Sequence, residues 1–193
     1  MNNTYKITLC AIALCILPIP SFAEELRINI PDSSNMHLYT PDSYTSLVSF
    51  EGRAEMEGTL LAVSRSNTID DETQWCVGLF FKPKASTQNV LPQVRFKGER
   101  SNPGAPLIEL NMFQKAQIKS DIETIFGAEI TSKMGKEPIE VAAQGCLTLE
   151  FFRTGIECDR RYYYARLVAF EKKLQLQQSR ARDLAQKVSI GCS

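Results

Sequence analysis

The stretch LVSFEGRAEMEGTLLAV, residues 47–63, carries the pattern on which the predicted fold depends. Apolar and polar side chains alternate along it, which is the period of a half-buried β-strand. Gly52 and Gly58 interrupt this alternation, and a glycine inside a strand marks a bulge or a close approach of another backbone. We therefore predict one long, bent strand from Leu47 to Val63, in which Met56 and Leu60 share a face on either side of Gly58.

The segments that follow predict three more strands. Trp75 to Phe81 alternate and end at Pro83, which favours a central strand reached through a polar loop over 64–73. Two shorter strands are predicted around Val94 and Phe96 and over Leu107 to Leu110, on either side of a loop rich in turn-forming residues.

The clearest helical period lies in residues 111–126. Ile118, Ile122 and Ile125 recur at three- and four-residue steps, so they fall on one face of a helix. Asn111 is the predicted N-cap and Gly127 the stop signal.

The C-terminal third predicts two strands and a second helix. A strand over Cys146 to Phe152 is expected to end in a hairpin turn at Thr154-Gly155, and Arg161 to Phe170 to form the next strand. Residues 171–188 predict a C-terminal helix, because apolar side chains line one stripe. The stripe consists of Leu174, Ala181, Leu184, Ala185 and Val188.

The first 23 residues have the pattern of a secretory signal peptide. Lys6 precedes the apolar run 7–17, and Ser21-Phe22-Ala23 places small residues at the two positions that a signal peptidase reads. Such a peptide directs export to the periplasm or the medium, and we predict its cleavage after Ala23. The alternative is a lipoprotein anchor at Cys15, which bulky Leu14 disfavours.

Residues 24–46 predict an extended N-terminal arm. Leu26, Ile28 and Ile30 alternate with polar neighbours and favour a short strand. Turns are expected at Pro31-Asp32-Ser33 and Pro41-Asp42-Ser43, with Tyr39 and Tyr44 as anchors.

Composition narrows the class of protein. A chain of 193 residues with 44% hydrophobic side chains suits one globular unit, which we place at 47–193 as a single disulfide-stabilised domain. Lys+Arg and Asp+Glu both number 22, so no bulk positive charge exists to attract nucleic acid, and we predict no such partner. Residues 159–193 hold 8 basic and 3 acidic side chains, which predicts docking on the acidic body of the chain or on an acidic partner.

The four cysteines that remain after signal cleavage predict two disulfides. In an exported chain an even set of cysteines is usually oxidised. Of the three possible connectivities we favour Cys158 with Cys192 and Cys76 with Cys146. The closest cysteines are twelve residues apart and His37 is the single histidine, so no metal site and no cofactor is predicted.

The order of these segments resembles a family of small exported bacterial domains of unknown function with an OB-type barrel. The resemblance covers about residues 50–170. It rests on Glu55-Met56-Glu57-Gly58-Thr59-Leu60, the strand through Trp75, the helix, Val141-Ala142-Ala143-Gln144-Gly145-Cys146-Leu147, and a strand with Arg166-Leu167-Val168.

This resemblance implies an α+β fold, a five- or six-stranded OB-like antiparallel β-barrel with one inserted and one C-terminal helix. Such a barrel has a concave face suited to oligosaccharide, oligonucleotide or peptide. The chain lacks the His-rich turn that these domains often carry before the last strand and has Thr154-Gly155-Ile156 there instead, so ligand chemistry attributed to that turn does not transfer.

The candidate binding surface is the segment RRYYYAR, residues 160–166. Guanidinium and phenol groups together stack on rings and pair with carboxylates. On a strand, Tyr162, Tyr164 and Arg166 share one face and Arg161 lies on the other. These four residues are the predicted binding set, and the alternative is that the C-terminal helix covers the tyrosines.

We predict a non-enzymatic binding or accessory protein that recognises a protein or a cell-envelope glycan. A serine or cysteine mechanism would have to take its base from His37 in the turn-rich arm, which disfavours it. One alternative is an exported hydrolase of envelope polymer that uses Glu150 and Glu157 as paired carboxylates. Another is an inhibitor or immunity protein for a toxic enzyme. The oligomeric state is left open.

Overall fold

The computed structural model describes residues 27–39, 47–69, 72–96, 107–111, 114–157 and 160–188. Within them the chain is α+β and consists mostly of strands, which confirms the predicted class. The strands are β1 (Arg27–Asn29), β2 (Asn35–Tyr39), β3 (Leu47–Ile69), β4 (Glu72–Pro83), β5 (Gln93–Arg95), β6 (Ile108–Leu110), β7 (Ile139–Glu157) and β8 (Arg160–Gln175). The helices are α1 (Lys115–Phe126), α2 (Ala128–Lys133) and α3 (Gln178–Ala185), with a short 3-10 helix over Ala85–Val90.

Five of the strands are joined in a circuit of pairings. Strand β3 pairs with β4 and with β7, β4 pairs with β6, β6 with β8, and β8 with β7. Only the β6–β8 pair is parallel among these, and it is short, with Glu109 opposite Tyr164 and Leu110 opposite Ala165. Strand β2 adds to β3 beside its N-terminal half, whereas β1 and β5 form a separate two-stranded sheet.

Strand alternation sorts the apolar side chains into two clusters. In β3, Leu60 and Ala62 belong to the large cluster that the isoleucines of α1 complete, and Leu61 and Val63 belong to a smaller cluster on the opposite face. Helix α3 covers the smaller cluster. Its buried members are Leu61, Val63, Phe80, Ala142, Ala181, Ala185 and Val188.

Both internal glycines of β3 have the predicted roles. Gly52 has φ of 124° and lies at the register shift between Phe50 and Arg53, so it marks a bulge. Gly58 pairs directly with Gly145 of β7, and a β-carbon on either residue would collide with backbone of the next strand. The two glycines therefore allow four strand backbones to approach closely at this point.

The predicted turn at Thr154-Gly155 is wrong. Both residues lie inside β7, where they pair with Tyr163 and Tyr162 of β8. Thr154 is buried and its hydroxyl donates to the Tyr162 carbonyl at 3.1 Å. Pairing on both sides of β7 outweighs the local turn preference of the dipeptide.

Two predicted boundaries also need correction. The expected polar loop over 64–73 is largely strand, because β3 runs on to Ile69 and β4 begins at Glu72. The C-terminal helix is shorter than the predicted 171–188, since β8 continues to Gln175, and exposed Leu174 lies on that strand rather than on the helix stripe. The other residues of the stripe, Ala181, Leu184, Ala185 and Val188, pack from α3 and the turn after it onto the sheet, as expected.

Asn111 is not the helix N-cap. Helix α1 begins at Lys115 and ends at Phe126 with Gly127 as its C-cap, so the predicted stop is confirmed. Asn111 has a positive φ of 55° and is buried. Its side chain forms hydrogen bonds with α1 and with β8. A non-glycine residue rarely adopts this conformation, so the contacts of Asn111 must offset its cost.

The predicted bond between Cys76 and Cys146 is also wrong. Cys76 lies opposite Arg65 and Cys146 opposite Glu57, eight residues apart along β3. That spacing corresponds to about 26 Å, whereas a disulfide needs α-carbons closer than about 7 Å. Cys146 is a free, half-buried thiol, and Cys76 is disulfide-bonded. The predicted Cys158–Cys192 bond lies outside the described residues.

Alkylation of the folded protein without reductant is therefore expected to modify Cys146. Cys76 should react only after reduction and unfolding, because its sulfur is bonded and the residue is buried. Peptide mapping by mass spectrometry distinguishes the two sites. Equal protection of both cysteines before reduction would contradict this assignment.

The described part of the N-terminal segment forms β1 and β2, which pair with β5 and β3. The predicted strand at 26–30 is confirmed as β1, and Ser34 donates to the Pro31 carbonyl at 2.8 Å in the predicted turn. Tyr39 contacts Phe151 edge to face, with ring centroids 6.4 Å apart. Residues 1–23, Tyr44 and the turn at 41–43 lie outside the described residues. Within the described ranges, the helices are all too short or too polar to cross a bilayer.

Candidate functional site

The pairing of β7 with β8 determines which predicted binding residues face outward. Arg153 lies opposite Tyr164, and the inward neighbours Phe152 and Ala165 also face each other. Because side chains alternate along a strand, Tyr162, Tyr164 and Arg166 share the outer face, as predicted. The cluster beneath α3 contains no tyrosine among its described members, so α3 packs elsewhere on this face.

Arg161 points the other way, also as predicted, and contributes to packing. Its guanidinium carbon lies 4.9 Å from the ring centroid of Phe96 and 5.6 Å from that of Tyr163. It also donates to the backbone carbonyl of Val94. Arg161 therefore belongs to the interior and does not take part in the outer surface that the other three residues form.

A cavity of about 240 Å³ opens on the outer face beside Tyr164. It lies between the residues that precede α1 and the middle of the β7–β8 pair. The residues that line it are Asn111, Gln114, Phe151, Arg153, Tyr164, Ala165 and Arg166. We call it the arginine pocket. It contains two of the four predicted residues.

Arg153 is the main residue of the pocket that sequence reasoning missed. Its guanidinium lies 5.3 Å from the Phe151 ring centroid, and its Nε donates to Ser49 Oγ at 3.0 Å. Ser49 is buried, so this hydrogen bond holds the base of the arginine side chain in a fixed position. The signal in the sequence was only the recurrence of arginine beside an aromatic residue, as in the 160–166 segment.

Arg166 is the more exposed of the two arginines. Its Nη1 lies 3.1 Å from Glu150 Oε1, and the two side chains are 53% and 39% exposed. An ion pair this open to water contributes at most about 1 kcal/mol. A ligand carboxylate can therefore replace Glu150 as the partner of Arg166 at little cost.

Asn111 fixes the floor of the pocket. Its Nδ2 donates to Asp121 Oδ2 at 2.6 Å, and its Oδ1 accepts from the Leu167 backbone N–H at 3.1 Å. One side chain thus links the end of β6 to α1 and to β8. Because both ends of the Asn111 amide are hydrogen-bonded, the amide is held in place. Gln114 and Arg166 line the pocket beside it.

Aromatic rings extend the surface on both sides of the pocket. Tyr162 and Tyr164 have ring centroids 4.7 Å apart with planes inclined by 39°. On the other side Tyr39 contacts Phe151. The pocket is therefore one part of a row of rings on which a flat ligand or a sugar face could stack.

Glu109 brings a half-buried carboxyl close to this surface. It lies on β6 directly between Phe80 of β4 and Tyr164 of β8. Burial raises the pKa of Glu109 to about 7. Across the described ranges its carboxyl has neither a hydrogen-bond partner nor an ion-pair partner.

The carboxylate pair Glu150 and Glu157 does not form a catalytic site. The two residues are seven positions apart on β7, which corresponds to about 23 Å. Glycosidases need their two carboxyl groups within about 5 to 9.5 Å. Glu150 instead pairs with Arg166, and no group of three metal-binding side chains occurs among the described residues.

Comparison of the chain with protein-family models, with curated proteins and with solved structures found no match.

Proposed function

We propose that this chain is an exported, non-enzymatic binding protein that recognises a carboxylate-bearing segment of a protein or of a cell-envelope glycan through the arginine pocket. The observation that supports it is the presence of two guanidinium groups and two aromatic rings around one cavity. Export rests on the signal-peptide pattern of residues 1–23, and it is part of the proposal.

The proposed scaffold is an OB-type barrel. The circuit of β3, β4, β6, β8 and β7 supports it, as does the placement of α1 and α2 between β6 and β7. OB-type barrels bind extended ligands across an outer sheet face and its adjoining loops. Helix α3 occupies the part of the face that carries Leu61 and Phe80, so the open part is the one that carries the arginine pocket.

The chemistry of the pocket favours a carboxylate over a neutral group. A guanidinium offers a planar set of donors that matches the two oxygens of a carboxylate. Arg153 is positioned for this by Ser49, and Arg166 by an ion pair that a ligand can replace. Phe151 and Tyr164 add faces for the ring or chain that bears the charge.

The proposal predicts that acidic ligands bind and their neutral counterparts do not. A uronate-containing oligosaccharide and a glutamate-rich peptide, each beside its uncharged analogue, can be titrated by calorimetry against the full chain. Arg153→Gln and Arg166→Gln should each weaken binding of the acidic ligand by about 10-fold or more, because a hydrogen bond to a charged group contributes roughly 1.5–3 kcal/mol.

Arg182→Gln is the matched control. It removes the same charge from exposed Arg182 on α3, which pairs with Glu140 away from the pocket. An equal loss of affinity in all three variants would assign binding to overall charge and contradict the pocket. Release of new reducing ends from the oligosaccharide would instead favour the hydrolase alternative.

A further inference from the structure

A second cavity of about 190 Å³ lies on the outer face between α3 and the sheet. It is separate from the arginine pocket and shares no lining residue with it. Its lining residues are Thr59, Leu61, Lys82, Leu107, Leu184 and Lys187.

Regular secondary structure places these side chains together. Thr59 and Leu61 are two apart on β3 and face the same way, and Lys82 lies directly opposite Thr59 on β4. Leu184 belongs to α3, and Lys187 follows in the turn where its N–H donates to the Leu184 carbonyl at 3.1 Å. The cavity is therefore built from rigid elements.

Its walls are apolar. Leu61 is 3% exposed and belongs to the cluster beneath α3, against which Leu107 and Leu184 are packed. Three leucines thus surround a space into which water gains few hydrogen bonds. Such a space favours a hydrocarbon group as its occupant.

The polar rim carries positive charge. Across the described ranges neither Lys82 nor Lys187 takes part in an ion pair. Two nearby carboxylates are paired elsewhere, because Glu57 binds Lys84 and Lys173, and Glu140 binds Arg65 and Arg182. Asp183, one helical turn before Lys187, and Glu109, two residues after Leu107, are acidic neighbours without an ion pair among the described residues. Both ammonium groups remain able to attract an anion at the mouth of an apolar cavity.

We infer that this cavity binds a short-chain amphipathic carboxylate, with the acyl chain among the leucines and the carboxylate between Lys82 and Lys187. The volume equals that of roughly six water molecules, which limits the buried chain to a short one. This inference does not depend on the proposed function, since it uses different residues and a different ligand.

Octanoate is a suitable probe, with octanol and octylamine as its neutral and cationic counterparts. Titration of the full chain, followed by NMR of the leucine methyl groups, should give saturable binding of octanoate in the roughly millimolar range that so small a ligand reaches. Octanol should bind more weakly and octylamine least. Shortening the chain to hexanoate should cost about fourfold in affinity per methylene removed.

Two kinds of variant test the two halves of the site. Lys82→Gln together with Lys187→Gln should weaken octanoate about 10-fold or more and leave octanol unchanged. Thr59→Leu should fill the cavity and weaken both ligands while both lysines remain. Lys136→Gln, an exposed lysine outside the cavity, is the matched control and should change neither.

Arg153→Gln should also leave octanoate binding unchanged, which separates this inference from the proposed function. Absence of saturable octanoate binding in the millimolar range would overturn the inference. Equal affinity for octanoate and octylamine would overturn it as well, because the lysines would then play no part. Thermal unfolding of each variant confirms that it is folded.

Discussion

Valine in place of Gly58 or Gly145 is expected to abolish the folded state, and alanine at either position to cost about 3 kcal/mol or more. A β-carbon on Gly58 would collide with the Lys82 carbonyl oxygen and lie 2.5 Å from Cζ of Phe81. At Gly145 it would collide with the Glu171 carbonyl oxygen and lie 2.7 Å from Cζ of Phe170. These carbonyls belong to the paired strands β4 and β8, which cannot move apart without loss of their pairing.

Circular dichroism with urea or heat measures this effect. Thr59→Val is a suitable control, because Thr59 adjoins Gly58 on the same strand and points outward, and one β-branched residue replaces another. It should change the free energy of unfolding by no more than about 1 kcal/mol. A valine variant at Gly145 that unfolds cooperatively at nearly the parent temperature would contradict the close approach of the strands.

Glu109→Gln is expected to stabilise the protein at pH 8.5 and to have little effect at pH 5. Burial raises the pKa of Glu109 from 4.5 to about 7, so the folded state favours the protonated carboxyl. The folded state is therefore stabilised fully below about pH 4.5, where the carboxyl is protonated. This stabilisation is lost as the pH rises from there through about 7, because the half-buried carboxyl must then ionise. The difference corresponds to about 3 kcal/mol at most, and we expect about 2 kcal/mol because water screens a half-buried group.

Urea unfolding at pH 5, 7 and 8.5 measures the effect on both proteins. The curve of free energy against pH should flatten above pH 5 in the Glu109→Gln variant relative to the parent. Glu123→Gln, an exposed site on α1, should leave the parent's pH dependence in place. Parallel pH curves for the parent and Glu109→Gln would show that Glu109 does not titrate as inferred.

Sequence reasoning located the strands and glycines whose signals are local. Alternation alone predicted β3 from Leu47, and Gly58 was recognised as a point of close approach. The period of α1 and its stop at Gly127 were also local signals. In each case the apolar side chains that recur at a regular spacing in the sequence are the ones that face the core.

The errors arose where tertiary pairing overrides local preference. Thr154-Gly155 has turn composition, yet β8 pairs with it along its length. Residues 171–175 favour a helix, yet they continue β8 opposite β7. The predicted cysteine pairing failed for the same reason, since the true register places Cys76 and Cys146 far apart along β3.

The candidate site was only half predictable. Tyr164 and Arg166 were found because strand alternation fixes their face. Arg153, Phe151 and Asn111 come from β7 and from the end of β6, and only the register of three strands brings them to one cavity. No spacing within the sequence encodes that contact.

Closure of the strand circuit depends on few residues. Strand β6 contributes only Ile108–Leu110, and Asn111 extends its link to β8 through both backbone and side chain. The arginine pocket is lined by residues from both sides of this junction, Asn111 and Gln114 on one and Tyr164 and Arg166 on the other. A ligand bound in the arginine pocket would bridge the junction between β6 and β8. Ligand binding and local separation of these two strands would therefore oppose each other.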